Sequence, residues 1–418
     1  MPLPLNNIDS AINFYNLLPL AHYYKSPFWA YDANIIRERI NQLRDFDVVR
    51  FAQKANSNIH ILRLMRSEGV KVDSVSLGEI ERALVAGYRS DNDEIIFTAD
   101  IFDEITLERV VALKLQVNIG SIDMLIQLGS VSPGHEIWLR VNPGFGHGFS
   151  QKTNTGGENS KHGIWHNHLF LALSLIKRYR MRLVGIHIHI GSGVNYDHLE
   201  LVCNSMVRIV IEFGQDLERI SAGGGLSVPY HRDEKRVDTD RYFYSWNKAR
   251  KCISNYLGHS VKLEIEPGRF LVAESGVLVS QIRAIKNMGQ QHFILVNAGF
   301  NDLMRPSMYG CYHHISLMTK DNRYIDELNT TNSIVAGPLC ESGDIFTQSE
   351  GYVLKTRTIP IAQVGDYLVF HDSGAYGASM SSNYNSRPLI PEVLFENGQH
   401  KEIRRAQTIH DLLSLELS

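Results

Sequence analysis

Cysteine is scarce in this chain, and its placement excludes more than its number does. Four occur in 418 residues (Cys203, Cys252, Cys311 and Cys340), and no two stand in C-x-x-C spacing. That argues against a disulfide framework or a cysteine-rich zinc site. It reads instead as reduced thiols in a cytoplasmic protein, each of which would matter singly. Excess charge of one sign is also missing. With 42 basic and 45 acidic residues the formal net charge is −3, which gives no electrostatic reason to expect nucleic acid or an anionic membrane as partner. No apolar run approaches the ~18 residues of a membrane span. The N-terminal MPLPLNNIDS has no basic stretch followed by an apolar one, so no signal peptide is expected. The 18 histidines are scattered, and neither His187/His189 nor His313/His314 has the cysteine or carboxylate pattern that would complete a ligand set, so no metal is expected.

What is present is a rhythm. Short β-rich runs recur at VVRFAQKA (48–55), VKVDSVS (70–76), EIIFTA (94–99), QVNIGS (116–121), EIWLRVNP (136–143), RLVGIHIHIG (182–191), RISAGGG (219–225) and KLEIEPG (262–268). Segments with helical apolar spacing lie between them, the longest being HLELVCNSMVRIVIEFGQDL (198–217). Eight such strands joined by helices predict an α/β fold, a (β/α)8 barrel, with a doubly wound open sheet as the alternative. After Arg269 the helical patterns stop. FLVAESGVLVSQIRAI, HFILVNAGF, SIVAGPL and DYLVFHDSGAY predict a second, mostly antiparallel β domain, which FWAYD (28–32) either joins or precedes. The expected boundaries are 33–270 for the barrel, with 1–32 and 271–418 for the β domain. The glycine-rich stretch 144–163 is expected to be a long loop after the fifth strand.

In a barrel of this kind chemistry collects at the carboxyl ends of the strands. Lys54 ends the first, with no acidic residue within several positions. His189 and Ser192 end the sixth, Gly223–Gly225 the seventh, and Glu266, Pro267, Gly268 and Arg269 the eighth. Singly, each has a plainer reading: a solvated rim lysine, a hydrogen-bonded packing histidine, a tight glycine turn. Jointly they suggest a phosphorylated aldehyde cofactor. A desolvated lysine can lose its proton and attack a carbonyl to form a Schiff base. Glycines let backbone N–H groups approach phosphate oxygens. Arg269 offers charge to a phosphate or carboxylate, Glu266 a partner for a protonated ring nitrogen, and His189 a flat stacking face. Those are the parts of a pyridoxal 5′-phosphate site.

FAQKANSN, DSVSLGEIERALVAG, HIHIGSG, GGGL, EPGRFLVAESG, GPLCESGD and DSGAYGASMSSNYNSRP together resemble the diaminopimelate decarboxylase family, within the alanine-racemase-like, fold-type III pyridoxal-phosphate enzymes that also include ornithine and arginine decarboxylases. The likeness runs from about residue 28 to about residue 400 and is to the bacterial biosynthetic type. It implies a barrel with a C-terminal β domain, a homodimer with active sites shared between subunits, and decarboxylation of meso-2,6-diaminopimelate to L-lysine and CO2, the last step of bacterial lysine biosynthesis. By resemblance Lys54 carries the cofactor and His189 stacks on it. Ser192, Gly224, Gly225 and Tyr376 lie on its phosphate side, with Tyr376 also touching substrate. Glu266 meets the ring nitrogen, and Gly268 and Arg269 continue that site. Cys340 is the acid lent by the neighbouring subunit, with Glu341 beside it.

Substrate choice is expected to rest on a cation for the second carboxylate of diaminopimelate. Arg305 in NDLMRPSMYG is the candidate, with Tyr309 four residues on, Arg269 as a second cation and Glu341 for the distal ammonium. On the residues alone Arg305 reads better as a surface arginine before a proline turn, and Cys340 could be a small buried hydrophobe. Decarboxylation of another basic amino acid, or a non-catalytic cofactor-binding relative, are the competing readings. Three positions depart from the family pattern: Asn297 where Asp is usual, Phe51 where Tyr or another aromatic is usual, and His162 where an aromatic is common.

Overall fold

A computed structural model describes residues 11–25, 27–146, 155–191, 193, 195–231 and 233–417. The chain divides into a barrel unit (Glu38–Ser227 and Arg236–Leu271) and a sheet unit (Met1–Arg37, Val228–Lys235 and Val272–Ser418).

Eight parallel strands close the barrel in chain order: Val48–Ala52, Lys71–Ser74, Ile95–Ala99, Gln116–Ile119, Glu136–Asn142, Arg182–His187, Arg219–Ser221 and Lys262–Ile265. The eighth returns to the first through Glu264↔Val48 and Ile265↔Val49. The predicted barrel is therefore present, and the open sheet is excluded. Its strands are almost continuously buried, as strands covered on both faces must be. Local chemistry starts and stops the helices between them. Ser76, Asp103, Ser121, Asn195 and Asp238 each cap a helix with a side-chain oxygen, and Gly87, Gly214 and Gly258 end three of them in the left-handed region.

Buried charge ties the barrel strands together toward their amino-terminal side. Arg50 Nε donates to Glu264 Oε2 (2.6 Å) and its Nη2 to Asp93 Oδ1 (2.8 Å). Arg219 bonds both acids, and Lys71 pairs with Asp93 at 2.8 Å. Burial works against Asp93 as an anion, but Arg50, Lys71 and Arg219 outweigh it and pull its pKa well below the ordinary value. Arg50 and Glu264 are both completely buried, so removing one leaves the other's buried charge with fewer partners among the described residues, Arg219 alone for Glu264 or Asp93 alone for Arg50.

The sheet unit is built on the 13-residue strand Gly276–Met288. A bulge between Ile282 and Ala284 lets it pair with Phe28–Asp32 and Tyr367–Phe370 along its first half and Gln291–Val296 along its second. Most pairings are antiparallel. Phe28–Asp32 runs parallel to Glu392–Glu396, and Gln291–Val296 parallel to Thr330–Ala336. FWAYD thus belongs inside this sheet. Helix Phe14–Tyr24, capped by Asn13, lays Leu17, Leu18 and Ala21 on Phe28, Val277, Val279 and Val369. One sequence expectation needs correcting: FLVAES is not extended. Arg269–Val272 forms a helical turn and Ala273–Ser275 a 3-10 turn, with Ser275 Oγ donating to Val272 O (2.7 Å), and the strand starts at Gly276. Among the described residues no helix is long and apolar enough to cross a membrane, and none of their His, Cys, Asp and Glu side chains form a metal-holding group.

Candidate active site

Lys54 lies in the 3-10 turn Gln53–Ala55 that follows the first barrel strand, with its side chain exposed. Buried Gln53 anchors the turn by donating from Nε2 to Ser74 Oγ (2.6 Å) on the second strand. The carboxylates missing from the local sequence arrive through the fold, because Asp73 and Glu79 both feel the charge of Lys54. Burial, then the charge of Glu266, pushes the Asp73 pKa up to about 6, and its Oδ1 is buried with no hydrogen-bond partner. Burial likewise raises Glu79 to about 7.

Glu266 follows the eighth strand. His187 Nε2 donates to its Oε2 (2.8 Å), Ser221 Oγ donates to its Oε1 (3.0 Å), and its own N–H bonds to Gly223 O (2.9 Å). Burial alone would raise its pKa, but His187, Ser221 and Arg50 together bring it below the ordinary carboxylate value. The site therefore holds an anion where one would otherwise be disfavoured. His189, two residues past the sixth strand, is half-buried. Burial first, then the charges of Arg140 and Lys54, depress its pKa well below the usual histidine value and keep the ring neutral.

The Gly223–Gly225 turn packs directly over these groups. A Cβ on Gly223 would fall 2.6 Å from Ile188 O and 2.7 Å from His189 Cβ, and one on Gly224 would fall 2.6 Å from Glu266 O. Gly225, at φ +105°, would press a side chain into Gly191 O. Gly193 N–H donates to Gly225 O (2.9 Å), joining this turn to the one after the sixth strand. The cleft that results encloses about 410 Å³, counting space open to solvent; glycines of both turns and Asn195 line one part of it, and apolar groups such as Ile188, Leu199, Val202 and Trp246 line the rest. It lies at the N-terminus of the 18-residue helix Tyr196–Phe213, where the helix dipole favours an anion, although Asn195 Oδ1 already accepts from Asp197 N (3.0 Å) and His198 N (3.2 Å). Ser192 lies outside the described residues, as do residues 147–154 of the glycine-rich loop. Gly268 is buried, and Arg269 opens the helical turn, half-buried.

In the sheet unit Arg305 is not a surface residue. It is 3% exposed and begins the five-residue helix Arg305–Tyr309, with Pro306 next. Its Nη1 donates to Tyr230 Oη (2.9 Å) and approaches His313 Nε2 (3.4 Å), and its Nη2 donates to Cys311 Sγ (3.2 Å). Among the described residues no carboxylate pairs with it. Tyr309 is half-buried at the helix end. Ser307 Oγ donates to Gly343 O (2.9 Å), tying this helix to the loop that carries Cys340 and Glu341. Buried Asp344 braces that loop by accepting from Leu339 N (2.8 Å) and Phe300 N (2.7 Å). Cys340 and Glu341 are both exposed, so the buried-hydrophobe reading of Cys340 does not hold. Tyr376 sits half-buried at φ +58°, a left-handed conformation uncommon for a bulky residue.

Two of the three departures have a structural explanation. Asn297 Oδ1 accepts from Ser280 Oγ (2.9 Å) and Gln281 N (2.8 Å), acceptor duties that an Asp would also perform. His162 Nδ1 pairs with Asp100 Oδ2 at 2.6 Å. Phe51, buried in the first strand, is itself aromatic, so it meets a pattern of Tyr or another aromatic and is no real departure. The residues that sequence reading missed are Asp73, His187, Ser221, Asp100 and Arg140. Each lies on or just past a barrel strand, so reading every strand end as closely as that of Lys54 finds all but Arg140.

The barrel, a lysine after its first strand, an anionic Glu266, a neutral His189 and a glycine cradle that no Cβ could share define a pyridoxal-phosphate enzyme. Residues 33–273 match the family model described as "Pyridoxal-dependent decarboxylase, pyridoxal binding domain". The chain is 66% identical to a diaminopimelate decarboxylase of Escherichia coli over 100% of both chains. A crystal structure of a diaminopimelate decarboxylase, also 66% identical, superposes with a TM-score of 0.98 over 100% of this chain and 99% of that one. The Helicobacter pylori diaminopimelate decarboxylase, in a structure complexed with L-lysine, is 30% identical with a TM-score of 0.84, covering 96% of this chain and 99% of that one. The chain belongs to the diaminopimelate decarboxylase family of pyridoxal-dependent decarboxylases. Its cofactor is pyridoxal 5′-phosphate, and the residues present suit it: a donor-rich cradle for a phosphate, a carboxylate for a ring nitrogen and an uncharged imidazole for a ring face.

Proposed function

We propose that this chain removes CO2 from meso-2,6-diaminopimelate and leaves L-lysine, the last step of bacterial lysine biosynthesis. The observation that supports this substrate best is Arg305. It is a buried cation that no carboxylate pairs with among the described residues, so a ligand carboxylate is the natural counterion. Diaminopimelate has a carboxylate at each end, whereas ornithine offers no second one.

Bound pyridoxal phosphate supplies the electron sink that stabilises the charge left on the α-carbon when CO2 departs. Lys54 holds the cofactor through Nζ. Glu266, kept anionic, retains a proton at the ring nitrogen. His189, kept neutral, would offer its flat face to the ring without competing for charge. Ser192, Tyr376 and the backbone around Gly224 and Gly225 bind the phosphate, and Gly268 and Arg269 border the same site. Cys340 Sγ returns a proton to the α-carbon. Arg305 and Tyr309 orient the distal carboxylate, with Arg269 as second cation, and Glu341 receives the distal ammonium. The reacting centre is the D centre.

Cys340 and Glu341 stand exposed on a braced loop, which suits delivery into the site of a second copy. The working form is then a homodimer with shared active sites. The four free cysteines suit a cytoplasmic setting.

Two experiments test this reading. Turnover of meso-diaminopimelate should far exceed that of L-ornithine, and a preference for ornithine would overturn the role of Arg305. Mixing inactive Lys54→Ala with inactive Cys340→Ala protein should restore up to about a quarter of wild-type activity, because half the dimers are then mixed and each carries one intact site. No recovery would contradict shared sites.

A further inference from the structure

We propose that His313 is a positioning residue for substrate selectivity: it fixes the plane of the Arg305 guanidinium without neutralising its charge. This rests on the assignment of Arg305 to the distal carboxylate of the substrate.

An arginine side chain has many rotamers, and a five-residue helix does little to choose among them. The guanidinium is held instead at its head, by Tyr230 Oη, His313 Nε2 and Cys311 Sγ. All three accept, and none is a carboxylate. A carboxylate there would grip harder, but it would also take the charge that a ligand needs.

His313 is the contact whose chemistry is set from both sides. Its ring is buried, and Nδ1 lies 2.9 Å from the carbonyl oxygen of His371. A carbonyl only accepts, so Nδ1 carries the hydrogen. On the other side Arg305 only donates, so Nε2 presents its lone pair. One neutral tautomer satisfies both bonds, and a protonated ring would set N–H against N–H.

The His371 carbonyl is itself fixed. His371 N–H donates to His314 O (2.9 Å), and the ring Nε2 lies 2.8 Å from Ser316 Oγ. The adjoining strands Ile315–Met318 and Tyr367–Phe370 pair antiparallel through Ile315↔Phe370. Tyr230 closes the arrangement, edge-on to the His313 ring at 5.6 Å and beneath the guanidinium at 5.0 Å. Three of the five N–H donors of Arg305 are then engaged. The Nε–H and one Nη2–H have no partner among the described residues and remain for a carboxylate.

The test uses cofactor-loaded enzyme with His313→Leu, His313→Gln and Arg305→Gln. Leucine removes both bonds, whereas glutamine keeps one donor and one acceptor. His313→Leu should raise KM for meso-diaminopimelate about tenfold with kcat changed less than about twofold. It should weaken L-lysine binding, measured by calorimetry, by a similar factor, and leave binding of 1,5-diaminopentane, which has no carboxylate, unchanged. His313→Gln should recover most of the loss. Should the leucine variant fail to fold, His313→Asn, too short to reach both partners, should show the same selective loss. Equal weakening of L-lysine and 1,5-diaminopentane, or a fall in kcat with KM unmoved, would overturn the proposal. If Arg305→Gln leaves L-lysine affinity intact, the Arg305 assignment fails. If it abolishes that affinity while the His313 variants match wild type, only the positioning role fails.

Discussion

Gly224→Ala is the sharpest mechanical test of the cofactor cradle. Gly224 has no left-handed φ, so the substitution adds no backbone strain of that kind. Its effect is steric. The new Cβ would sit 2.6 Å from the Glu266 carbonyl oxygen, and ordinary contact begins at 3.4 Å. The turn and the end of the eighth strand must therefore separate by about 0.8 Å, the difference between those distances. Either the backbone proposed to bind the phosphate moves or Glu266 does. Misplacement on the order of 1 Å can cost about a hundredfold in rate, so kcat/KM should fall roughly 30- to 100-fold, about 2–3 kcal/mol. Cofactor affinity, followed by absorbance on titration, should fall as well. Gly258→Ala serves as the control: it lies in open space beyond a helix end, so its cost is confined to stability. Unchanged kcat/KM and unchanged cofactor affinity in the Gly224 variant would refute the cradle.

Three other outcomes follow from the same geometry. Glu266→Gln keeps the shape and loses the charge that His187 and Ser221 stabilise; kcat should drop at least ~100-fold while the cofactor still binds, and a near-normal kcat would remove Glu266 from the mechanism. Arg50→Met leaves Glu264 buried without its principal partner, so unfolding in urea should show a loss of about 3–5 kcal/mol; a loss below ~1 kcal/mol would contradict the buried network. Asp73 should make cofactor-free protein less stable as pH rises. Its folded pKa of about 6 exceeds the ordinary 3.8, so the folded state holds a proton that the unfolded state has lost between those values. Stability contributed by this group falls across that window and stays low above it. Thermal melts of Asp73→Asn should therefore exceed wild type above pH 6 and converge with it below about pH 4, and parallel curves would be the contrary result.

Much of the fold could be read before any coordinates because barrel strands are buried on both faces and so stand out as dense apolar runs. The candidate site residues at strand ends are legible for the opposite reason. Lys54 and Glu266 are charged groups where an apolar run stops, and Gly223–Gly225 break a strand where a side chain would collide. What sequence hid was pairing across distance. Nothing near Lys54 in the chain announces Asp73, since they meet only because the first and second strands are neighbours. Arg305 looked like a turn residue because its burial comes from Tyr230, Cys311 and His313 together. Tyr230 belongs to the short segment Val228–Lys235, which leaves the barrel unit for the sheet unit, and no composition change marks that excursion. The helical turn at Arg269–Ser275 was hidden in an apolar run whose period suits strand and helix equally.

The central claim, that Lys54 carries the cofactor in a decarboxylase acting on the D centre of meso-diaminopimelate, is tested most directly by one incubation. Cofactor-loaded protein is given meso-diaminopimelate, CO2 is collected, and the amino-acid product is resolved on a chiral column, with Lys54→Ala alongside. The account predicts CO2 and L-lysine in equal amounts from wild type and neither from the variant. D-lysine as product, or full turnover by Lys54→Ala, would contradict it.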